Sequence, residues 1–321
     1  MKKEIDYNTI ISKRSSEKSA QIIGAPDILI IPDSLITIQN SWGSLFLAQN
    51  YTKIDTFVIF VHGGIRVPTG FEQLITLDTL EDIERVAETI HLNADLGSAT
   101  MASNFLMQLN DNPQIAVIWY DFTRIVGDAN RSELAAQVPD LPYKGDSPWT
   151  NDAATLSSRK PILQAALYPF FEDLTLLLSK FQPTLITYPH TYDQTSGGTT
   201  TEGATDVLPS GKMRPAGMIF HKNHSIQSSE DSLFFPKEVL PIIQEFYYKT
   251  LANLSTLNEI IEIGIDYPYL AATGLPVWID TFYQAHHVMF EVRKDIFAHI
   301  SEKDLDNLTQ FILKTRNILL K

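Results

Sequence analysis

Apolar residues gather along this chain in short, nearly unbroken runs: "DILIIP" (27–32), "FVIFV" (57–61), "IAVIWYDF" (115–122), "TLITYP" (184–189), "AGMIF" (216–220), "IIEIGI" (260–265) and "HHVMFEVR" (286–293). Runs of this kind, rich in β-branched and aromatic residues and without polar alternation, predict strands covered on both faces. Longer segments with helical spacing lie between them: Ser98 to Leu109, Ala154 to Phe181, Pro236 to Leu251 and Ser301 to Leu320. Ser301 with Glu302 or Asp304 supplies a helix N-cap signal for the last of these. Strands alternating with helices predict an α/β fold with a mixed, mostly parallel central sheet and helices on both faces.

No repeat or change of composition divides the 321 residues, so the expectation is a single catalytic α/β domain over 1–321. It carries a flexible loop insertion near 193–213, because "DQTSGGTTTEGATD" (193–206) has too little apolar surface to pack. As a surface insertion this loop needs no explanation, but its place just after a strand that ends in histidine also suits a lid over substrate.

Composition narrows the classes. With 44% hydrophobic and 20% charged residues the chain can build an ordinary core, and its net charge of -13 repels nucleic acid and anionic lipid. The most basic run, "MKKEIDYNTIISKR", is interrupted by acids and apolar residues, so no basic patch offsets the total field. Neither a signal peptide nor a membrane-length apolar stretch is evident, which makes a soluble cytoplasmic protein the expectation. Oligomeric state is not legible. The chain has no cysteine, so a bound metal must rest on His, Asp or Glu.

Two strand runs end on histidine in the same way, "FVIFVH" at His62 and "TLITYPH" at His190. Ligands bind outside the carboxyl ends of strands in open α/β sheets, so both imidazoles would project into one crevice if the strands are neighbours. Each histidine alone reads as a structural residue, whereas the pair at equivalent ends balances that reading against metal ligation. The other histidines lack such organisation. His91, His221, His224 and His299 are isolated, and His286 and His287 begin a strand, at the end away from the crevice. Glu291 lies inside the apolar run "VMFEV", where an unpaired carboxylate is costly. It is either half of a buried ion pair, with Arg293 or another arginine, or a general base and acid whose raised pKa suits proton transfer.

The order of motifs resembles the N-formylglutamate amidohydrolase family, zinc-peptidase-like enzymes related to zinc carboxypeptidases and succinylglutamate desuccinylases. "HGGIRVP" (His62 to Pro68) is similar to its His-Ser/Ala/Gly-Gly/Asn-x-x-x-Pro signature, "LEDIERVAETI" (Leu80 to Ile90) to its Asp-Ile-Gly helix start, and "DFTRIVGDANRS" (Asp121 to Ser132) to its Ser-Arg-x-x-x-Asp-x-Asn-Arg segment. "LITYPHTYD", "RPAGMIFHKN", "IGIDYPYL" and "VMFEVRKDIF" follow in the family's order, so the resemblance spans about Phe57 to Phe297.

It implies a zinc-peptidase-like, phosphorylase/hydrolase-like fold, and zinc held by His62, His190 and a carboxylate matched by Asp82, with Glu72 or Asp78 as alternatives. Two imidazoles and one carboxylate leave a fourth zinc position open for water, as a hydrolase needs. It implies Glu291 as the catalytic base and acid, Arg124 to polarise the scissile carbonyl or bind a second carboxylate, and Asn130, Arg131 and Arg293 to bind substrate. A planar guanidinium suits a carboxylate because it donates two parallel hydrogen bonds. The expected activity is zinc-dependent cleavage of an N-acyl, formyl-type amide of a small acidic amino acid. Departures from the family include "SRKPILQAAL", which keeps Pro161 but has Ile162 and Leu163 where a Tyr-His pair is usual. They leave open a zinc peptidase or amidase acting on a peptide or cell-wall fragment, or a catalytically silent binding protein on the same scaffold. Gly63 and Gly64 would let the backbone turn close to a metal.

Overall fold

The computed structural model describes residues 29–66, 79, 82, 85–86, 89–90, 94–124, 128–130, 167–195, 200–201, 204–205, 208, 211–223, 232–255, 257, 261–267 and 274–321. Its strands are β1 (Leu35–Gln39), β2 (Gly43–Ala48), β3 (Thr56–Phe60), β4 (Ile115–Tyr120), β5 (Leu185–Tyr192), β6 (Thr200–Thr201), β7 (Ala204–Thr205), β8 (Gly217–Phe220), β9 (Ile263–Ile265) and β10 (His286–Arg293). Its α-helices are α1 (Ser98–Met107), α2 (Tyr168–Phe181), α3 (Leu240–Ala252), α4 (Leu275–Asp280) and α5 (Glu302–Leu319).

Eight strands form one mixed sheet in the order β1-β2-β4-β3-β5-β10-β8-β9. The central block β4-β3-β5-β10 is parallel throughout. Antiparallel pairings join β1 to β2, β2 to β4 and β10 to β8. The central strands β3, β4 and β5 are buried along their whole length. This is why their sequences carry no polar alternation.

The expected strands at 57–61, 115–122, 184–189, 216–220, 260–265 and 286–293 all overlap observed ones. β1 and β2 were not expected; β1 is an edge strand whose Thr37, Ile38 and Gln39 are exposed, so it lacks the continuous burial that marks the central strands. The expected strand at 27–32 is not formed in its described part, residues 29–32. Inside the stretch expected to be an unstructured loop, β6 and β7 pair as a small antiparallel hairpin, which the β-branched threonines favour.

Among the helices, α5 starts with a capping box: Ser301 Oγ accepts from Asp304 N at 3.2 Å while the Asp304 carboxylate accepts from Ser301 N at 3.4 Å. The helix expected over Ala154 to Phe181 is present from Tyr168, with 151–166 outside the described residues. No described helix is long and apolar enough to cross a membrane.

β5 and β10 lie side by side in parallel, and their register sets His190 opposite Glu291. β3 neighbours β5, which brings the segment just after Phe60 to the same end of the sheet. The architecture thereby gathers the ends of three parallel strands at one edge.

Candidate metal centre

His62 lies two residues beyond the end of β3, and its carbonyl accepts from Asp95 N at 3.0 Å. Its ring is 4.9 Å from that of His190, centroid to centroid, and inclined to it at 66°. Between them sits Asp95: its Oδ2 is 2.9 Å from His190 Nδ1 and 3.4 Å from His62 Nδ1. His62, Asp95 and His190 each offer one ligand atom, and all three atoms lie within 4.8 Å of one another. All three residues are buried.

The second nitrogen of His62 is committed. Nε2 lies 2.5 Å from Asp128 Oδ1, and the other Asp128 oxygen accepts from Arg124 Nη2 at 2.8 Å. A carboxylate behind an imidazole fixes the ring and its tautomer, leaving Nδ1 as the nitrogen turned toward Asp95. His190 shows the complementary pattern: Nδ1 faces Asp95, and Nε2 is buried with no hydrogen-bond partner among the described residues. Two imidazole nitrogens and one carboxylate oxygen gathered this closely are a donor set that suits zinc.

The electrostatics follow from this crowding. Burial disfavours the His62 imidazolium, but Asp128 and Asp95 together outweigh burial and the opposing Arg124, so its pKa is raised. Burial would lift the Asp95 carboxyl, yet His62 and His190 hold it well below the usual carboxylate range. His190 is lowered, chiefly by burial.

Glu291 keeps some contact with solvent. Burial and the negative charge of Asp95 nevertheless push its carboxyl up to about 8, against the pull of Arg214, His62 and Arg124. A protonated carboxyl beside a cluster of charged groups is poised to exchange a proton near neutral pH.

The expected residues are distributed as follows. His62, His190, Arg124, Asn130 and Glu291 lie at this end of the sheet. Asn130 is buried, donates from its backbone N to Asp128 Oδ1 at 2.9 Å, and accepts from Leu275 N through Oδ1 at 3.1 Å, tying the site to the start of α4. Arg131, Glu72 and Asp78 lie outside the described residues.

Asp82 is not part of the group. Its Oδ2 accepts from Thr79 N at 3.1 Å and Thr79 Oγ1 at 2.8 Å, and Thr79 Oγ1 in turn accepts from Asp82 N at 3.1 Å. This is a capping box, and it occupies the carboxylate with local donors. Among the described residues, the carboxylate lying between the two histidines is that of Asp95. A signal for it was present in "ADLGSA": Asp95-Leu96-Gly97 carries the Asp-apolar-Gly helix start that "LEDIERV" lacks at its third position. Gly97 adopts φ 94°, and a Cβ there would come within 2.5 Å of the Phe297 ring, so glycine allows the chain to turn into α1. That turn leaves the Asp95 side chain facing the histidines.

Arg293 also departs from expectation. Nε and Nη2 each sit 3.1 Å from an oxygen of Asp295, and Nη1 donates to the Arg214 carbonyl at 3.1 Å. The bidentate pair engages the fork with a neighbouring carboxylate, while Nη1 ties β10 to the Arg214 backbone.

Gly63 and Gly64 lie where the packing leaves no room for a side chain. A Cβ on Gly63 would meet the Trp119 ring at 2.3 Å, and one on Gly64 the Asp121 backbone at 2.3 Å.

No family model and no curated protein matches the sequence at a significant level. Solved structures do match its fold. An N-formylglutamate amidohydrolase from Ralstonia eutropha JMP134 superposes with a TM-score of 0.54 at 11% identity, covering 86% of this chain and 97% of its own. The gene product Atu2144 from Agrobacterium tumefaciens gives 0.50 at 16% identity, covering 84% and 91%. The chain therefore shares the α/β fold of these two structures, built on a mixed eight-stranded sheet.

Proposed function

We propose that this protein is a zinc-dependent amidohydrolase that cleaves an N-acyl, formyl-type amide of a small acidic amino acid. The observation that carries the reading is the gathering of His62, Asp95 and His190, with both Nδ1 atoms facing Asp95 Oδ2 and Glu291 set opposite His190 by the β5–β10 register. The fold shared with an N-formylglutamate amidohydrolase supports it.

His62, Asp95 and His190 would hold the metal, and zinc when bound supplies Lewis acidity at this crevice. Asp128 orients His62, and Arg124 in turn anchors Asp128. Glu291 accepts a proton from the attacking water and returns it to the leaving amine, a role for which its raised pKa places it near the working pH. Asn130 and Arg131 are the proposed contacts for the substrate carboxylate. Arg131 supplies the charge, and Asn130, tied to Asp128 and α4, fixes the approach.

The test is turnover of N-formyl-glutamate and N-formyl-aspartate beside neutral N-acyl amino acids and short peptides, with zinc content measured on the same preparations. Zinc-dependent hydrolysis that prefers the acidic substrates is expected. Equal or better turnover of peptides would overturn the substrate assignment, and hydrolysis independent of metal would overturn the mechanism.

A further inference from the structure

Lys294 follows the last residue of β10 and opens the 3-10 turn Lys294–His299. Its ammonium donates to the Ala94 carbonyl at 2.5 Å and lies 3.4 Å from Asp193 Oδ1. The side chain is only 12% exposed, so this is not a loosely solvated surface pair of the sort that contributes little.

The three segments it joins all belong to the proposed centre. Ala94 immediately precedes Asp95. Asp193 immediately follows Tyr192, the last residue of the strand that carries His190. Lys294 itself stands three residues after Glu291.

Aspartate has a single methylene between backbone and carboxylate, so the position of the Asp95 oxygens is set by its backbone. That backbone is tied to the first histidine through Asp95 N to His62 O. It is tied to β5 through Thr191, whose Oγ1 donates to Leu96 O at 2.9 Å and whose N lies 3.3 Å from Asp95 Oδ2. Lys294 supplies the tie to β10, the strand of the proposed base.

We infer that Lys294 is a positioning residue: its ammonium fixes the Asp95 loop against the ends of β5 and β10, and so sets the third ligand of the metal centre relative to Glu291. The inference rests on the metal-centre reading above and goes beyond it by assigning this lysine. Partners that orient metal ligands typically change metal affinity by about 10- to 100-fold when removed.

The experiment measures zinc affinity by competition with a chromophoric chelator for the wild type, K294M and K294R. K294M is expected to bind zinc about tenfold more weakly, the lower end of what an orienting partner contributes. K294R, which keeps a cation and several donors, is expected to recover most of that loss. Should K294M fail to fold, D193N removes the described carboxylate beside the ammonium and is expected to weaken zinc in the same direction by a smaller factor. Wild-type affinity in K294M, or in D193N where that variant is used instead, would overturn the inference while leaving the metal centre intact. A wild type that binds no zinc would overturn both.

Discussion

β5 and β10 run side by side through the sheet, and each carries a buried histidine near one end: His190 toward the carboxyl end of β5, His287 near the amino end of β10. The two look alike by burial and by one ring nitrogen each, Nε2, that has no hydrogen-bond partner among the described residues. Their other nitrogens separate them. His190 Nδ1 faces the Asp95 carboxylate at 2.9 Å, with His62 close by, whereas His287 Nδ1 is 2.9 Å from the Tyr188 hydroxyl. His287 stacks on Tyr188, packs edge-on to Phe234, and has Asp280 no nearer than 4.0 Å. Burial pushes it down to about 3, so it is a neutral core residue. Burial alone does not make a histidine a ligand; a shared carboxylate and a second imidazole at the right distance do.

The largest effect expected at the reactive end is catalytic. E291Q should lower kcat by about 10²- to 10⁴-fold, the usual contribution of a general base, while leaving zinc content as in the wild type. Retained activity in a zinc-loaded E291Q protein would remove Glu291 from the chemistry. Next in size is the contrast between two aspartates. D95N should weaken zinc by at least the roughly 10- to 100-fold seen for outer partners, because it alters a ligand itself. D82N should leave zinc affinity unchanged, since Asp82 caps a helix with Thr79. The reverse ranking in a chelator competition would mean that Asp82 is the ligand after all.

At the other end of the strands, H287L should not change zinc binding. It should cost about 1 to 3 kcal/mol of stability by stranding the buried Tyr188 hydroxyl, a loss that a paired Y188F substitution reduces. Denaturant titration of the single and double variants measures this, and a loss of metal in H287L would erase the distinction between the two ends.

How much of this was legible in the sequence depends on the range of the interaction. His62, His190 and Glu291 stood out because each breaks an apolar strand, a local pattern that the parallel register then brings together. The central strands and the capping box at Ser301 were legible for the same local reason. Asp95 carried only the Asp-Leu-Gly helix-start signal and broke no apolar strand: it sits in a turn and becomes a candidate ligand when the chain brings it back between two histidines far from it in sequence. Asp82 offered a carboxylate nearer to His62 along the chain, but its own threonine satisfies it. The pairing of Arg293 with Asp295, two residues on, was not legible, because spacing alone does not reveal which partner engages a guanidinium. The edge strand β1, with mostly exposed positions, gave too little hydrophobic contrast to be seen.

The smallest expected effect is in the pH dependence of the metal-free protein. The Glu291 carboxyl rises from 4.5 to about 8 on folding, so between those values the folded chain holds a proton that the unfolded chain has released. Stability therefore falls as pH rises through this window. His62, raised from 6.5, acts in the same sense above that value. His190 and His287 are lowered from 6.5 and oppose the trend only below it. From about pH 7 to 8 the signs agree, and the Tm of the metal-free protein should decline. A flat or rising Tm over that range would show that Glu291 is not held protonated by its surroundings.

The most direct measurement of the central claim is metal stoichiometry by elemental analysis after zinc reconstitution, on the wild type and on H62A, D95A, H190A, D82A and E291Q. The account predicts one zinc per chain in the wild type, D82A and E291Q, and its loss in H62A, D95A and H190A. A wild type without bound zinc, or a D95A protein that keeps it, would contradict the account.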